Sequence, residues 1–321
     1  MTLASLVLLL LAATPVLAKS PPATVHGEAF GKPVEIVVRD LAGGAEAASR
    51  ALAAIAEVER MTDPGRTDGG IGALNEAAGK GPQPVDPSLL AILLRAQSFC
   101  LWSEQAYGPL GRALNTVWGA RGKEALTPEP QAVERAAAAA DCSRLGLDPV
   151  KATAELAPDS GLDLWGLAEG FAVDRAVEQL QAAGAKNVYV RLGAVHRGLG
   201  PGPSGRGWPV ALEPVPGLGP DPSRGVLLRD QALATAVRGE RPVLFSHRDG
   251  RGPESTLAVA TVSQLAGDAQ ALATILYVVG PREGQMRLGS LSPRPSALWY
   301  MGSGEGMPLQ VDYRWSHVSR R

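Results

Sequence analysis

Two stretches of the chain place acidic residues close to glycine where a helical pattern begins. The first runs from Asp163 through Gly166, Glu169 and Gly170 into a long amphipathic segment, and the second begins at Asp268. A helix start presents unpaired backbone N–H groups and the positive end of the helix dipole, which together favour an anion such as phosphate. The first stretch is therefore a candidate phosphate cradle. The alternative is a well-capped core helix, with Asp163 as its cap.

The two stretches together suggest metal-assisted phosphate chemistry. Carboxylate, hydroxyl and carbonyl oxygens are the ligands that a hard cation such as Mg²⁺ prefers, and the second stretch offers Asp268 and Thr274. In the first stretch, Gly166 and Gly170 would let a ligand approach the backbone. Two purely structural helix caps are the alternative, and spacing alone favours them.

Charge and composition exclude several other classes of function. The chain has a net charge of -1 with both signs interspersed, so it lacks the basic footprint of a nucleic-acid-binding protein and has no general attraction to an anionic membrane. There is no P-loop, no dinucleotide fingerprint and no CxxC pair, and the four histidines lack metal-ligand spacing. With 45% apolar and 20% charged residues, the chain has the composition of an ordinary globular protein.

The first 18 residues have the pattern of an export signal. An apolar run from Leu6 to Ala13 is followed by Val16-Leu17-Ala18, although no Lys or Arg precedes the run. No later segment reaches the ~20 consecutive apolar residues of a transmembrane helix, and no cysteine follows the cleavage region as a lipid anchor would require. We predict a periplasmic protein with no membrane span, in which residues 1–18 are removed and residues 19–321 form a single domain.

Cys100 and Cys142 are the two cysteines of the chain. An oxidising compartment would permit a disulfide between them. Cys100 lies on the apolar side of a helical pattern, where a free cysteine packs as a small hydrophobic residue. We expect the two cysteines to be free.

Apolar periodicity and turn residues predict alternating helices and strands. The alternation of Val34, Ile36 and Val38 indicates a strand, whereas the glycine-rich segment 62–81 is predicted to be an irregular loop that carries Asn75. The predicted helices cover residues 45–60, 86–104, 127–140, 163–184 and 269–279, with a last helical piece near Glu283, and further strands are expected at 187–193, 208–212, 231–237, 257–262, 297–301 and 309–313. The order lacks strict βαβ regularity, so the predicted class is mixed α/β or α+β.

The order of motifs resembles the ApbE family, the FAD:protein FMN transferases, from about Val25 to the C-terminus. The strongest part is residues 163–175, DLWGLAEGFAVDR, which is similar to the family's D-[LM]-x-x-[IVL]-[AG]-[KE]-G-[YF]-A-x-D. Partial matches occur in the family's order at residues 27–31, 63–75, 106–119, 192–193, 233–235 and 271–280. The resemblance implies an ApbE-like, T-fold-like sheet with packed helices.

The resemblance also implies a reaction. In this family a metal ion bridges the pyrophosphate of FAD, a threonine hydroxyl of another exported protein attacks the FMN phosphorus, and AMP leaves. Carried over to this sequence, Asp163 and Glu169 would contact FAD, while the Gly166 carbonyl and Thr274 would bind Mg²⁺. The flavin nucleotide pocket would be lined by Phe30, Ala106, Tyr107 and Gly108.

The chain departs from the family where the family has acids. The family's metal-binding Asp falls on Gln270, so Asp268 is the substitute ligand that we expect, and two other acidic positions of the family are Gly108 and Val195 here. His247 and Asp249 are candidate acid–base groups, with a solvated hairpin as the alternative. The alternative for the whole chain is an FAD-binding protein that keeps the fold without transferase activity.

Overall fold

The computed structural model describes residues 21–120, 126–219, 224–239, 244–253, 255–304 and 306–318. The predicted export signal, residues 1–18, lies outside the described residues. Within them, no helix combines the length and the apolar character that crossing a membrane requires.

One large antiparallel sheet organises the chain. Its eight strands lie side by side in the order β1-β2-β6-β7-β10-β11-β12-β13, so both ends of the described chain contribute to it. The strands are β1 Ala23–Ala29, β2 Lys32–Val38, β6 Val188–Leu192, β7 Val195–Leu199, β10 Gln231–Val237, β11 Thr256–Ser263, β12 Ser296–Met301 and β13 Leu309–Tyr313. A second sheet has three strands, β3 Gln83–Pro84, β4 Leu145–Asp148 and β5 Thr153–Leu156. A third has two strands, β8 Trp208–Ala211 and β9 Gly225–Leu228.

Seven helices accompany the sheets in the described part of the chain. They are α1 Gly44–Thr62, α2 Gly70–Glu76, α3 Pro87–Trp102, α4 Arg112–Val117, α5 Pro130–Ala139, α6 Ala168–Ala182 and α7 Ala266–Leu288. α7 continues beyond the predicted end because helical structure resumes after a kink at Gly280, whose φ of 72° glycine adopts without strain. The mixed α/β class predicted from the sequence is confirmed.

The sheet separates two hydrophobic cores because successive side chains of a strand point to opposite faces. On β11, Val259 belongs to the core shared with the long helices α1, α6 and α7, whereas Ala258 and Ala260 face the core beneath β8 and β9. The predicted alternation of β2 is confirmed, since Val34, Ile36 and Val38 are all buried. The helices that carry Glu169, Asp268 and Thr274, α6 and α7, pack on the side of the sheet that Val259 faces.

A tight turn that the sequence pattern did not reveal joins β1 to β2. Phe30 and Gly31 adopt φ values of 54° and 66°, the two positive angles of a type I′ hairpin turn. The backbone N–H of Phe30 donates to Glu59 Oε1 at 2.7 Å. This bond fixes the hairpin tip against α1, and Lys32 begins the second strand beside it.

The prediction of an irregular loop over residues 62–81 was wrong for its second half, where α2 forms. α2 is short, but Asn75 on its last turn is buried and holds residue 162 through both groups of its amide. Its Nδ2 donates to the Leu162 carbonyl at 3.0 Å, and its Oδ1 accepts from the Leu162 N–H at 2.6 Å. These long-range bonds, rather than local propensity, order the segment.

Candidate functional site

The stretch that begins at Asp163 is a turn followed by a helix that starts later than predicted. α6 begins at Ala168, and its N-cap residue Leu167 makes no side-chain cap bond. Asp163 instead caps the turn, because its Oδ1 accepts from the Trp165 N–H at 3.1 Å. The helix starts about one turn after Asp163, so the alternative in which Asp163 caps the helix was wrong.

Asp163 is buried and fixed from the neighbouring segment. Its backbone N–H donates to the Pro109 carbonyl at 2.9 Å, and its Oδ2 accepts from Asn115 Nδ2 at 2.7 Å. A parallel bridge between Leu110 and Asp163 aligns the two segments. The segment after Tyr107 and the turn before α6 are thus joined side by side.

Gly166 lies where two hydroxyl groups meet. Its φ is +75°, and a β-carbon at this position would lie 2.8 Å from the Tyr107 hydroxyl and 2.9 Å from Thr274 Oγ1. Thr274 Oγ1 lies 3.2 Å from the Gly166 carbonyl oxygen and 3.1 Å from the Gln270 carbonyl oxygen, and its single proton can be donated to one of them at a time. The structure therefore brings together three of the predicted site residues, and glycine is required both for the backbone angle and for the space.

Glu169, on the first turn of α6, is held from two sides. Lys32 Nζ lies 3.1 Å from Glu169 Oε1, and Gln270 Nε2 donates to Glu169 Oε2 at 2.6 Å. The same Gln270 side chain accepts from the Gly170 N–H through Oε1 at 2.7 Å. Because a backbone N–H can only donate, the orientation of the Gln270 amide is set, and its NH₂ group must face Glu169.

A cavity of about 250 Å³ opens at this helix start. It is lined by Phe30, Lys32, Glu59, Thr62, Asp63, Pro64, Leu164, Trp165, Gly166, Ala168 and Glu169. Lys32 is the one cationic side chain among the described residues that line it. The predicted site residues Phe30, Gly166 and Glu169 are thus brought together around one cavity at the positive end of a helix dipole.

His247 lies behind this cavity, next to Asp163 and Tyr107. Its ring centroid is 4.7 Å from that of Tyr107, and Trp165 lines both this cluster and the cavity. Burial lowers the pKa of His247 to about 4, although the nearby Asp163 carboxylate acts in the opposite direction. The imidazole is therefore neutral near pH 7, and its buried Nδ1 has no hydrogen-bond partner among the described residues.

Neighbouring groups hold the His247 segment in place. The His247 N–H donates to the Ala106 carbonyl at 2.9 Å, and Arg248 Nη2 pairs with Glu283 Oε1 at 2.6 Å. Arg248 and Arg287 lower the pKa of Glu283, as expected for a carboxylate between two cations. Asp249 is exposed and accepts from the Arg251 N–H at 3.0 Å, so it lies on a solvated turn rather than beside His247.

Gly108 packs against a disulfide between Cys100 and Cys142, whose Cα atoms lie 6.5 Å apart. The expectation that these cysteines are free was wrong, because the segment after α5 returns to α3 and brings Cys142 against it. A β-carbon at Gly108 would overlap Cys100 Sγ. The absence of the family's aspartate at this position therefore coincides with a disulfide that occupies the space.

The start of α7 is built differently from the start of α6. The alternative of a structural cap at Asp268 is not borne out; Asp174 of α6 caps α7 by accepting from the Ala266 N–H at 2.8 Å and the Gly267 N–H at 2.9 Å. Asp268 points away and pairs with Arg95 Nη2 of α3 at 2.7 Å, in a groove between α1, α3 and α6. Gly170 serves the packing of the two helices rather than a ligand, because a β-carbon there would overlap the Ala266 carbonyl.

Two of the three predicted Mg²⁺ ligands, the Gly166 carbonyl and Thr274 Oγ1, lie side by side, but Asp268 does not join them. Asp268 is engaged with Arg95 in another groove, and Thr274 is bonded to the Gly166 carbonyl. Glu169, which lines the same cavity as Gly166, is already paired with Lys32. Across the described residues, no group of three or more His, Cys, Asp or Glu side chains could hold a metal ion. Mg²⁺ in proteins is usually bound by one or two carboxylates together with substrate phosphates, and α7 supplies no carboxylate to the oxygens of Gly166 and Thr274, because Gln270 is an amide and Asp268 lies in another groove.

Lys32, Asn115 and Trp165 were not predicted as site residues. Asn115 and Trp165 lie inside motifs that carry the family resemblance, but nothing in their spacing shows that they meet Asp163. Lys32 carries no local signal either, because its partner Glu169 lies on a helix far away in the sequence. Its position just before the alternating residues of the predicted strand is the one sequence feature that could have indicated it.

Known proteins share both the sequence pattern and the fold. The chain is 30% identical over 249 residues to the FAD:protein FMN transferase of Treponema pallidum, covering 69% of this chain and 68% of that protein. It is 29% identical over 167 residues to the enzyme of the same name from Chlamydia trachomatis, covering 52% of this chain and 50% of that protein.

Solved structures extend the likeness to almost the whole chain. The apo form of the flavinyl transferase ApbE from Pseudomonas stutzeri superposes with a TM-score of 0.81 at 18% identity, covering 93% of this chain and 96% of that one. The flavin transferase ApbE from Vibrio cholerae gives a TM-score of 0.79 at 21% identity, covering 93% and 97%. The family model of the ApbE family matches residues 30–299, and this chain belongs to the ApbE family.

Proposed function

We propose that this chain is an exported FAD:protein FMN transferase, which moves FMN from FAD to a threonine hydroxyl of a target flavoprotein and releases AMP. The observation that carries the proposal is the cavity at the start of α6, where Lys32, Glu169 and the helix N-terminus adjoin the cluster of Asp163 and His247. Family membership supports the same reaction, and relatives at about 30% identity carry the name of this activity.

The cavity suits the pyrophosphate of FAD. A helix N-terminus favours phosphate oxygens through the helix dipole, and Lys32 adds a full positive charge. Phe30 and Trp165 offer aromatic surface at the same cavity for the flavin or adenine ring. Tyr107 and Thr274 supply hydroxyl groups at Gly166, the point where the cavity meets the cluster.

The transfer forms one bond and breaks one. The threonine oxygen of the acceptor bonds to the FMN phosphorus, the bond from that phosphorus to the bridging oxygen breaks, and AMP leaves with the electron pair. We assign the threonine proton to the imidazole of His247. Its low pKa makes it a weak base in the FAD-free protein, but the negative charges of FAD would raise that pKa by favouring the protonated ring. Asp163 then stabilises the imidazolium.

Magnesium belongs to the chemistry that the family resemblance implies, but the donor set of this chain does not fit it. The proposed reaction has no step that uses Mg²⁺, and Asp268 and Asp249 lie outside it. Export to the periplasm is likewise a proposal, which rests on the pattern of residues 1–18. The acceptor is proposed only by its chemistry, a threonine hydroxyl on an exported protein.

The test is direct. The purified mature chain is incubated with FAD and a threonine-bearing acceptor protein; AMP is quantified by chromatography and the acceptor is weighed by mass spectrometry. We expect AMP and FMN-modified acceptor in equal amounts, and His247→Asn is expected to slow both by about 100- to 10,000-fold, as for loss of a general base. If the protein binds FAD but releases no AMP from it with any threonine-bearing acceptor, the chain is instead a flavin-binding protein without transferase activity.

A further inference from the structure

The groups around Glu169 form a matched set. Lys32, Glu169 and Gln270 come from β2, α6 and α7; Lys32 and Glu169 line the cavity, and Gln270 contacts Glu169 from behind it. Glu169 is nearly buried, with 7% of its side chain exposed, whereas Lys32 is 23% exposed and reaches the open side. The carboxylate therefore anchors the ammonium group at the point where an FAD pyrophosphate would lie.

Gln270 fits this set and a carboxylate would not. Its Oε1 accepts from the Gly170 N–H and its Nε2 donates to Glu169. Aspartate at position 270 could not donate, and it would place a second negative charge against Glu169. Two adjoining carboxylates would need a cation between them, whereas one carboxylate with an amide and an ammonium group does not. Lys32 and Gln270 thus each satisfy one oxygen of the Glu169 carboxylate.

The fold makes room for the lysine stem. Gly193, in the turn between β6 and β7, has a φ of 55°, and a β-carbon there would lie 2.7 Å from Lys32 Cδ. The stem therefore passes over a glycine that leaves it space. The other acids of the cavity are engaged with backbone N–H groups, since Glu59 accepts from Phe30 and Asp63 accepts from Gly65.

We propose that Lys32 takes the place of a divalent cation in this chain: its ammonium group, held by Glu169, pairs with a pyrophosphate oxygen of FAD and offsets part of the pyrophosphate charge, so that FAD binding and AMP release do not require Mg²⁺. The inference rests on the proposed function, because it specifies how the same cavity holds FAD. It follows from the disagreement between the implied metal and the donors that the described residues offer.

The first experiment measures FAD affinity by calorimetry, with the mature chain in EDTA and again in excess Mg²⁺. We expect similar affinities in both. Lys32→Met keeps the stem and removes the charge, and it is expected to weaken FAD binding in EDTA by about 10- to 100-fold, the worth of a hydrogen bond to a charged group. Lys32→Arg should restore most of the affinity. Lys151→Met, on an exposed turn of the β4–β5 hairpin, is the matched control and should bind FAD like the wild type.

Lys32→Met takes the cation away from the Glu169 carboxylate, so the double variant with Glu169→Gln provides a folded comparison that has neither charge. Its circular dichroism and unfolding midpoint should match the wild type, while its FAD affinity in EDTA stays low. Gln270→Asp adds the complementary change: its FAD affinity should fall in EDTA and recover with Mg²⁺, because paired carboxylates attract a hard cation.

The outcomes separate the two proposals. Wild-type FAD binding and AMP release that vanish in EDTA, with Lys32→Met indistinguishable from the wild type in Mg²⁺, would overturn the role of Lys32 and leave the transferase intact. If the wild type binds no FAD in either buffer, the proposed function itself fails. FAD binding that persists in EDTA and depends on Lys32 supports the inference, whether or not a suitable acceptor has been found.

Discussion

The starts of α6 and α7 look alike in sequence and differ in the structure. Each begins near an acid and a glycine, yet Glu169 on α6 faces a cavity with Lys32, whereas Asp268 on α7 faces Arg95 in a separate groove. The helices also support each other: Asp174 of α6 accepts from the first N–H groups of α7, and Gln270 of α7 accepts from Gly170 of α6.

The difference shows that an acidic residue near a helix start is not by itself a binding site. At α7 the first N–H groups are satisfied by Asp174, a carboxylate that would also repel an anionic ligand. At α6 the N-cap residue offers no side-chain acceptor, and the first-turn carboxylate, Glu169, is paired with Lys32 at the cavity. An anion is favoured where the helix dipole and a cation act together, so we place FAD at α6.

The largest effect that we expect concerns the cap of α7. Asp174→Ala removes the acceptor for two backbone N–H groups and the partner of Arg197, whose side chain is also mostly buried. Loss of one member of a buried ion pair typically costs about 3–5 kcal/mol. Urea unfolding followed by fluorescence should show this loss. Asp174→Asn, which keeps one acceptor, should lose less, and an unchanged midpoint in both variants would refute the capping role.

A second effect concerns the pH dependence of stability at the α6 side. The pKa of His247 is about 4 in the fold against 6.5 in the unfolded chain, so between these values the unfolded chain binds the extra proton. The free energy of unfolding should therefore be largest above pH 6.5 and fall as the pH decreases towards 4. The His247 contribution is on the order of 3 kcal/mol.

His247→Asn should flatten that part of the profile. His196→Asn is the comparison, because burial lowers the pKa of His196 too, in a separate cavity beside Tyr189 and β8. Its profile should also flatten while AMP release is retained. A wild-type slope in the His247→Asn protein would show that folding does not lower the pKa of His247.

The third prediction compares two glycines of positive φ near the two ends of α6. One of them has close neighbours at the site, and the other has open space. Gly166→Ala combines an unfavourable φ with contacts to Tyr107 and Thr274, and displacement of this turn is expected to slow AMP release by about 100-fold. Gly184→Ala also has a positive φ, 94°, and open space around the added carbon. It should lose about 1–2 kcal/mol of stability with normal activity. Equal activity loss in both would mean that the site effect is general destabilisation.

The smallest effect is expected at Asp268. Its partner Arg95 is 45% exposed, so Asp268→Asn should change stability by no more than about 1 kcal/mol, as for surface ion pairs. AMP release should be unchanged at every Mg²⁺ concentration. A Mg²⁺-dependent loss of activity would instead restore Asp268 as the metal ligand predicted from the sequence, and would erase the contrast between the two helix starts.

Local patterns of the sequence determined the class of the fold, most element positions and the family. The alternation in β2 and the apolar periodicity of α1 and α6 repeat within each element, so they can be interpreted without the rest of the chain. The ordered motifs did the same for the family, since the stretch from Asp163 to Arg175 keeps its pattern in one continuous segment.

The tertiary structure alone decided what each acid faces. Lys32 of β2 meets Glu169 of α6, Gln270 meets Gly170 across 100 residues, and Cys142 meets Cys100 across 42. The direction of Asp268 also depends on where α3 packs, which no spacing on α7 encodes. Such pairings are set by how whole helices and strands cross, so the sequence identified the segment of the site but not the partners that give it its charge.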